Sequence, residues 1–171
     1  MDKRQKVALS TVLMLTVVIG LYGMSTMRDK TTRSITTETE YSIPSNWHFV
    51  DAGSFTVSLP PNWKLNKLQG IDSYVAEFTG DGVTLNFDYG WYSSPLVDKD
   101  DPSHAITYET IDGKKAKIVI PKEIGSGTTG VYFEDVGDGM NRLQISGDNL
   151  TSSQQDVVLK IFRTIQFRKS E

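Results

Sequence analysis

Cysteine is absent from the 171 residues, which removes disulfides, thiolate metal sites, cysteine nucleophiles and thiol-linked lipid anchors. Histidine is nearly as scarce. His48 and His104 are too few and too far apart to suggest a zinc site, and no metal is expected. No G-x-S-x-G segment occurs, so the strained serine turn of many hydrolases is missing too. Positive charge is in deficit from Tyr41 onward, with 12 Lys and Arg against 17 Asp and Glu, a net of −5. Such a domain repels phosphate backbones, so nucleic acid is not an expected partner.

Long apolar runs are absent except for one, the uncharged 18 residues from Val7 to Met24. As a helix the run covers roughly 27 Å, enough to cross the hydrocarbon of a bilayer. It follows a short basic tail, residues 1–6, and is expected to be a transmembrane anchor or an uncleaved signal. A cleaved signal peptide is the competing reading. Gly23 and Ser25 loosely fit its cut, but the run is long for one and Tyr22 and Met24 crowd the site. A soluble buried helix is the plain alternative, disfavoured because a run apolar on every side shows water no polar face. Lys3, Arg4 and Lys6 on one flank match Arg28, Lys30 and Arg33 on the other, so charge alone does not orient the helix. Residues 25–44 are rich in Thr and charge and poor in apolar positions, and are expected to be a flexible tether. As a random coil it would span on the order of 20 to 25 Å.

Residues 45–168 carry the pattern of a globular domain. Phe55, Val57 and Leu59 alternate with polar residues, as do Val83, Leu85, Phe87, Tyr89 and Trp91. Ala116, Ile118 and Ile120, then Val131 and Phe133, then Leu143 and Ile145 continue the period of two. The pairs Asp81-Gly82, Asp112-Gly113 and Asp138-Gly139 supply residues that tolerate positive φ between runs, which predicts antiparallel hairpins. Thr151 and Gln154 form a capping-box pattern, followed by Val157, Val158, Ile161, Phe162 and Ile165 at helical spacing. The expected fold is α+β: a curved antiparallel sheet of about six strands with one C-terminal amphipathic helix packed on it, plus the N-terminal transmembrane helix.

The opening segment F-T-V-S-L-P-P-N-W, Phe55 to Trp63, and the closing segment Leu150 to Phe167 resemble the frame of PsbP-like α/β sandwich domains. That frame opens with a strand ending in a Pro and Trp turn and closes with a helix leading into a short last strand. The resemblance implies a curved antiparallel sheet flanked by helices, and an exported or membrane-tethered accessory domain without catalysis. It transfers no functional residue.

Several motifs compete for a functional reading. Gly125, Gly127 and Gly130 have G-x-G-x-x-G spacing, but a dinucleotide loop must open a helix, whereas V-Y-F-E-D-V reads as strand. A hairpin loop is expected there, and no cofactor. Asp98, Asp100, Asp101 and Glu109 echo a calcium loop, yet Pro102 and Ser103 stand where a ligand and the turn glycine belong, which favours a solvated acidic loop. Ser93 to Ala105 reads as irregular, either functional or mobile. Lys114, Lys115, Lys117 and Lys122 are expected to protect a sheet edge rather than to form a binding patch.

The segment D-Y-G-W-Y is the most distinctive. Asp88, Tyr89, Trp91 and Tyr92 are candidate ligand-binding residues, with an aromatic wall and one carboxylate. The plainer alternative has Tyr89 and Trp91 in the core and Asp88 capping a turn. No catalytic residue is assigned. The expectation is a single-pass membrane protein whose domain faces the extracytoplasmic side and serves as an accessory or interaction module with a protein partner. The rivals are a small hydrolase or ligand-modifying enzyme using Asp88 with His104, which requires the two to meet, and a tethered adaptor facing the cytoplasm.

Overall fold

A computed structural model describes residues 42–168. The basic tail, the expected anchor at 7–24 and most of the expected tether lie outside the described residues. Within them no helix is long and apolar enough to cross a membrane.

Ten strands and one helix follow in chain order: β1 (His48–Asp51), β2 (Phe55–Leu59), β3 (Lys64–Lys67), β4 (Tyr74–Gly80), β5 (Val83–Gly90), β6 (His104–Ile111), β7 (Lys114–Pro121), β8 (Thr128–Phe133), β9 (Arg142–Asp148), α1 (Ser152–Phe162) and β10 (Gln166–Phe167). They form two antiparallel sheets. The small one has the order β1-β2-β10 and the large one β3-β4-β5-β9-β8-β7-β6. The expected single sheet of about six strands is therefore corrected to ten strands in two sheets. Alternation does not mark the extra strands, because β1, β3 and β10 are short and β6 is an edge strand with little apolar alternation.

The hairpins follow from their turn residues. Asp81 and Gly82 have φ of 52° and 74°, and Asp112 and Gly113 have 48° and 72°. Two central residues at positive φ give the turn whose twist matches paired strands, here β4–β5 and β6–β7. Asp138 and Gly139 sit in the longer β8–β9 connection, and Gly125 and Gly127 in the β7–β8 loop. After β5 the chain crosses to the far edge of the sheet, starts β6 there and meanders back until β9 lies beside β5.

Alternation sends Phe78, Leu85, Phe87, Ile118, Val131, Phe133, Leu143 and Ile145 to one inner face, all 0–2% exposed. Phe55 of β2 meets Phe87 edge-on at 5.3 Å, and Phe167 of β10 meets Phe133 at 4.9 Å, so the small sheet lies over this face. The helix packs against β2 and β8. Its capping box is formed by Thr151 and Gln154, and Val158, Ile161 and Phe162 are buried. Gln155 donates to Thr129 at 3.0 Å, and Arg163 grips Glu109 of β6 through two nitrogens. Ser42, Ile43 and Pro44, expected as the last residues of the tether, line a small cavity with Lys160 and Arg163 at the end of α1.

Candidate functional site

The other face of the large sheet carries the polar half of each alternating strand. Register pairs Val75 with Asp88, Asp88 with Gln144, Gln144 with Tyr132, Tyr132 with Lys117, and Lys117 with Tyr108, giving one row across six strands. Residues 91–103, the crossover from β5 to β6, run over this face. A groove of about 850 Å³ opens beside them, its walls including Ser93, Pro95, Tyr108, Lys115, Tyr132 and Arg142. That size suits a small ligand.

One nitrogen ties the crossover down. Lys117 is 9% exposed, and its Nζ donates to the carbonyls of Pro95 at 2.9 Å and Val97 at 2.6 Å. Val97 N–H also donates to Pro95 O, closing a three-residue turn around Leu96 at φ 74°. A bulky residue at positive φ is strained, and strain of this kind collects at functional segments. Leu96 seats on Gly130, where a Cβ would lie 2.6 Å from its Cδ1 and 3.0 Å from Ile145 O, so a larger residue there would push the Leu96 side chain away. The expectation that Lys114, Lys115, Lys117 and Lys122 guard an edge is overturned: β7 lies between β6 and β8.

Two further cations are placed by neighbours other than carboxylates. Arg142 donates to Trp91 O at 2.8 Å and lies 5.7 Å from the Trp91 ring centroid. The Lys115 ammonium sits 4.3 Å from the Tyr108 ring centroid. Burial raises the Tyr132 phenol, opposed by Arg142 and helped by Glu134, so it remains a donor at neutral pH.

The four candidates of the D-Y-G-W-Y segment separate. Asp88 belongs to the outer-face row beside the groove; its Oδ1 is buried without a hydrogen-bond partner. Ser93 Oγ donates to the Asp88 carbonyl at 2.9 Å. Tyr89 points to the core side, and its hydroxyl donates to Asp138 at 3.3 Å. Trp91 does not continue the buried stripe. β5 ends at Gly90, which is pressed against Ser73, and the chain then turns, leaving Trp91 50% and Tyr92 72% exposed. The signal for the groove was in K-K-A-K-I-V-I: apolar Val119 shares a face with Lys115 and Lys117, which marks a strand covered on both sides.

Asp88 and His104 are not brought together. They stand on β5 and β6 with three strands between, about 19 Å or more at the usual spacing. His104 instead secures the end of the crossover, its Nε2 accepting from Thr128 N–H at 3.1 Å and its Nδ1 facing Asp101 at 3.2 Å. Asp101 is held below the usual carboxylate range by the Ser103 backbone N–H and by His104. Glu109 is engaged by Arg163 and does not join Asp98, Asp100 and Asp101. Among the described residues no three metal-binding side chains converge.

No protein-family model matches the chain, and no curated protein matches it. A solved structure from Bacteroides thetaiotaomicron VPI-5482 is similar at a TM-score of 0.39 and 10% identity, over 75% of this chain and 50% of that one. The chain thus spans about half the length of that protein.

Proposed function

We propose that this chain is a membrane-tethered accessory domain on the extracytoplasmic side that binds a ligand or partner through the roofed groove without transforming it. The observation that carries the reading is how the groove is fixed. Lys117, Lys115 and Arg142 are set by carbonyls and rings, as in a recognition surface, and the aliphatic hydroxyl among the lining residues, on Ser93, donates to a carbonyl rather than to a base. The apolar run from Val7 to Met24 supports the tether. The likeness to PsbP-like domains supports the accessory role, and the pairing of β10 with β2 joins the opening and closing segments that carry it. That frame has helices on the flanks of its sheet, whereas the described residues contain one. Ile71, Trp91, Tyr92 and Met140 are exposed on connections at one end of the large sheet and offer a protein partner apolar contacts.

A photo-crosslinking residue in place of Tyr108, compared with one in place of Asn66 on the opposite edge, tests the groove in cells. A discrete adduct from position 108 alone is expected; equal labelling from both positions refutes the reading. Protease added to intact cells or spheroplasts should digest the domain. Protection until lysis would favour the cytoplasm-facing adaptor.

A further inference from the structure

Four of the twelve cations counted from Tyr41 onward, Lys114, Lys115, Lys117 and Arg142, line this groove, in a domain where carboxylates outnumber cations. The ion pairs among the described residues are Asp101–His104, Glu109–Arg163 and Asp51–Arg168, and none includes these four. A ring or a carbonyl fixes a cation in place without cancelling its charge. Register carries Ala116 opposite Phe133 and Phe133 opposite Leu143, so Lys115 and Arg142 fall in the next row, with Glu134 between them. Two strand spacings separate their backbones by about 10 Å. Lys115 closes on an oxyanion beside Arg142 by swinging off the Tyr108 ring, and a guanidinium held on one side by Trp91 O keeps its other N–H groups for the anion.

The rest of the groove suits a ring. Tyr108 is 56% exposed and offers its face once Lys115 has swung off it, while the Tyr132 hydroxyl lines the groove without a protein hydrogen-bond partner among the described residues. The net negative charge of the domain does not forbid an anion here. Charges more than about 10 Å away are largely screened at ordinary ionic strength, so the local cations decide. Glu134 and Asp135 are the opposing local charges; Asp135 also accepts from the Gly137 N–H.

Resting on the reading of the groove as a binding surface, we propose that its ligand is a small sugar carrying an oxyanion, a phosphate or a carboxylate. Arg142 and Lys115 take the oxyanion, Tyr108 stacks on the ring and Tyr132 donates to a sugar oxygen. Glu134 weakens the site by repulsion.

The test is calorimetric titration of the full chain in zwitterionic nanodiscs with glucose 6-phosphate, glucuronate, glucose, inorganic phosphate and hexaglutamate. At least one charged sugar should bind at sub-millimolar concentration, and the tighter of the two identifies the oxyanion. Glucose and inorganic phosphate should each bind at least about tenfold more weakly than that sugar, because each lacks one of the two contacts. Lys115→Gln with Arg142→Gln should weaken the charged sugar by about tenfold or more, and Glu134→Gln, an exposed change that leaves the fold intact, should tighten it by roughly threefold. Binding of glucose as tight as the charged sugars, tightening absent or reversed in Glu134→Gln, or binding of hexaglutamate but no sugar would each overturn the proposal. If the adduct at position 108 persists while no charged sugar binds, only the ligand assignment falls. If both are absent, the groove reading falls with it.

Discussion

Replacing Lys117 by Met asks how much one buried nitrogen holds. Its Nζ donates to Pro95 O and Val97 O, and hydrogen bonds from a charged group contribute about 1.5 to 3 kcal/mol each, so about 3 to 6 kcal/mol of interaction is lost. Against this, Met fills most of the same space and the released carbonyls can turn to water, which recovers much of the loss. The difference leaves a global loss of about 1 to 2 kcal/mol. The local effect is larger, because Val97 O can turn to water and Leu96, at φ 74°, then gains about 1 kcal/mol by leaving its left-handed conformation. Amide exchange should therefore rise sharply across residues 92–103 while the strands keep their protection, and the urea midpoint should fall modestly. An unchanged midpoint together with unchanged exchange in the crossover would refute the claim that Lys117 secures it.

Trp91→Ala should destabilise by about 1 kcal/mol in urea melts, since half the ring already meets water, whereas Phe162→Ala should cost about 3 to 5 kcal/mol; equal losses would mean that Trp91 is core. Asp138 tests pH dependence. Burial pushes its carboxyl up, but the Asn141 side chain, the Asn141 and Met140 backbone N–H groups and the Tyr89 hydroxyl outweigh this and bring it down to about 2. A lowered carboxyl stabilises above its unfolded value near 4 and loses that contribution as pH falls to about 2; solvent screening leaves about 1 kcal/mol. Thermal melts of the wild type should lose this increment between about pH 4 and pH 2, and Asp138→Asn should lack it at pH 7 already. A chain beginning at Tyr41 keeps the residues packed at the end of α1 and should unfold cooperatively at an unchanged midpoint; aggregation or a broad melt would show that the first 40 residues support the core.

Local chemistry was legible in the sequence and strand neighbourhood was not. Asp81-Gly82 and Asp112-Gly113 announced their hairpins because the turn itself demands those residues, and Thr151 with Gln154 announced α1 for the same reason. Phe55, Leu85 and Ile145 were readable as core from alternation. Nothing in alternation says that the chain leaves β5 for the far edge, so β7 was read as an edge strand and Lys117 as its guard. The groove is not legible in alternation: Asp88 and Trp91 are not among its lining residues, and no period marks Tyr108, Lys115, Tyr132 and Arg142 as neighbours. Trp91 continues the period of two in sequence but not in space, because β5 ends at Gly90.

The pairing of β10 with β2 also orders events during synthesis. Gln166 sits opposite Thr56 and Phe167 opposite Phe55, and Thr164 Oγ1 accepts from Ser58 N–H across 106 positions. The strand that closes the small sheet is thus made after every other strand of the domain. Until it leaves the ribosome, β2 has an open edge and Phe55 and Phe133 lack the ring of Phe167 that packs against both. The nascent domain stays unsealed until this strand emerges, a state in which long-range pairing is slow and exposed edges invite aggregation. Truncation before Gln166 would leave β2 without its closing strand and Phe55 and Phe133 without their shared ring.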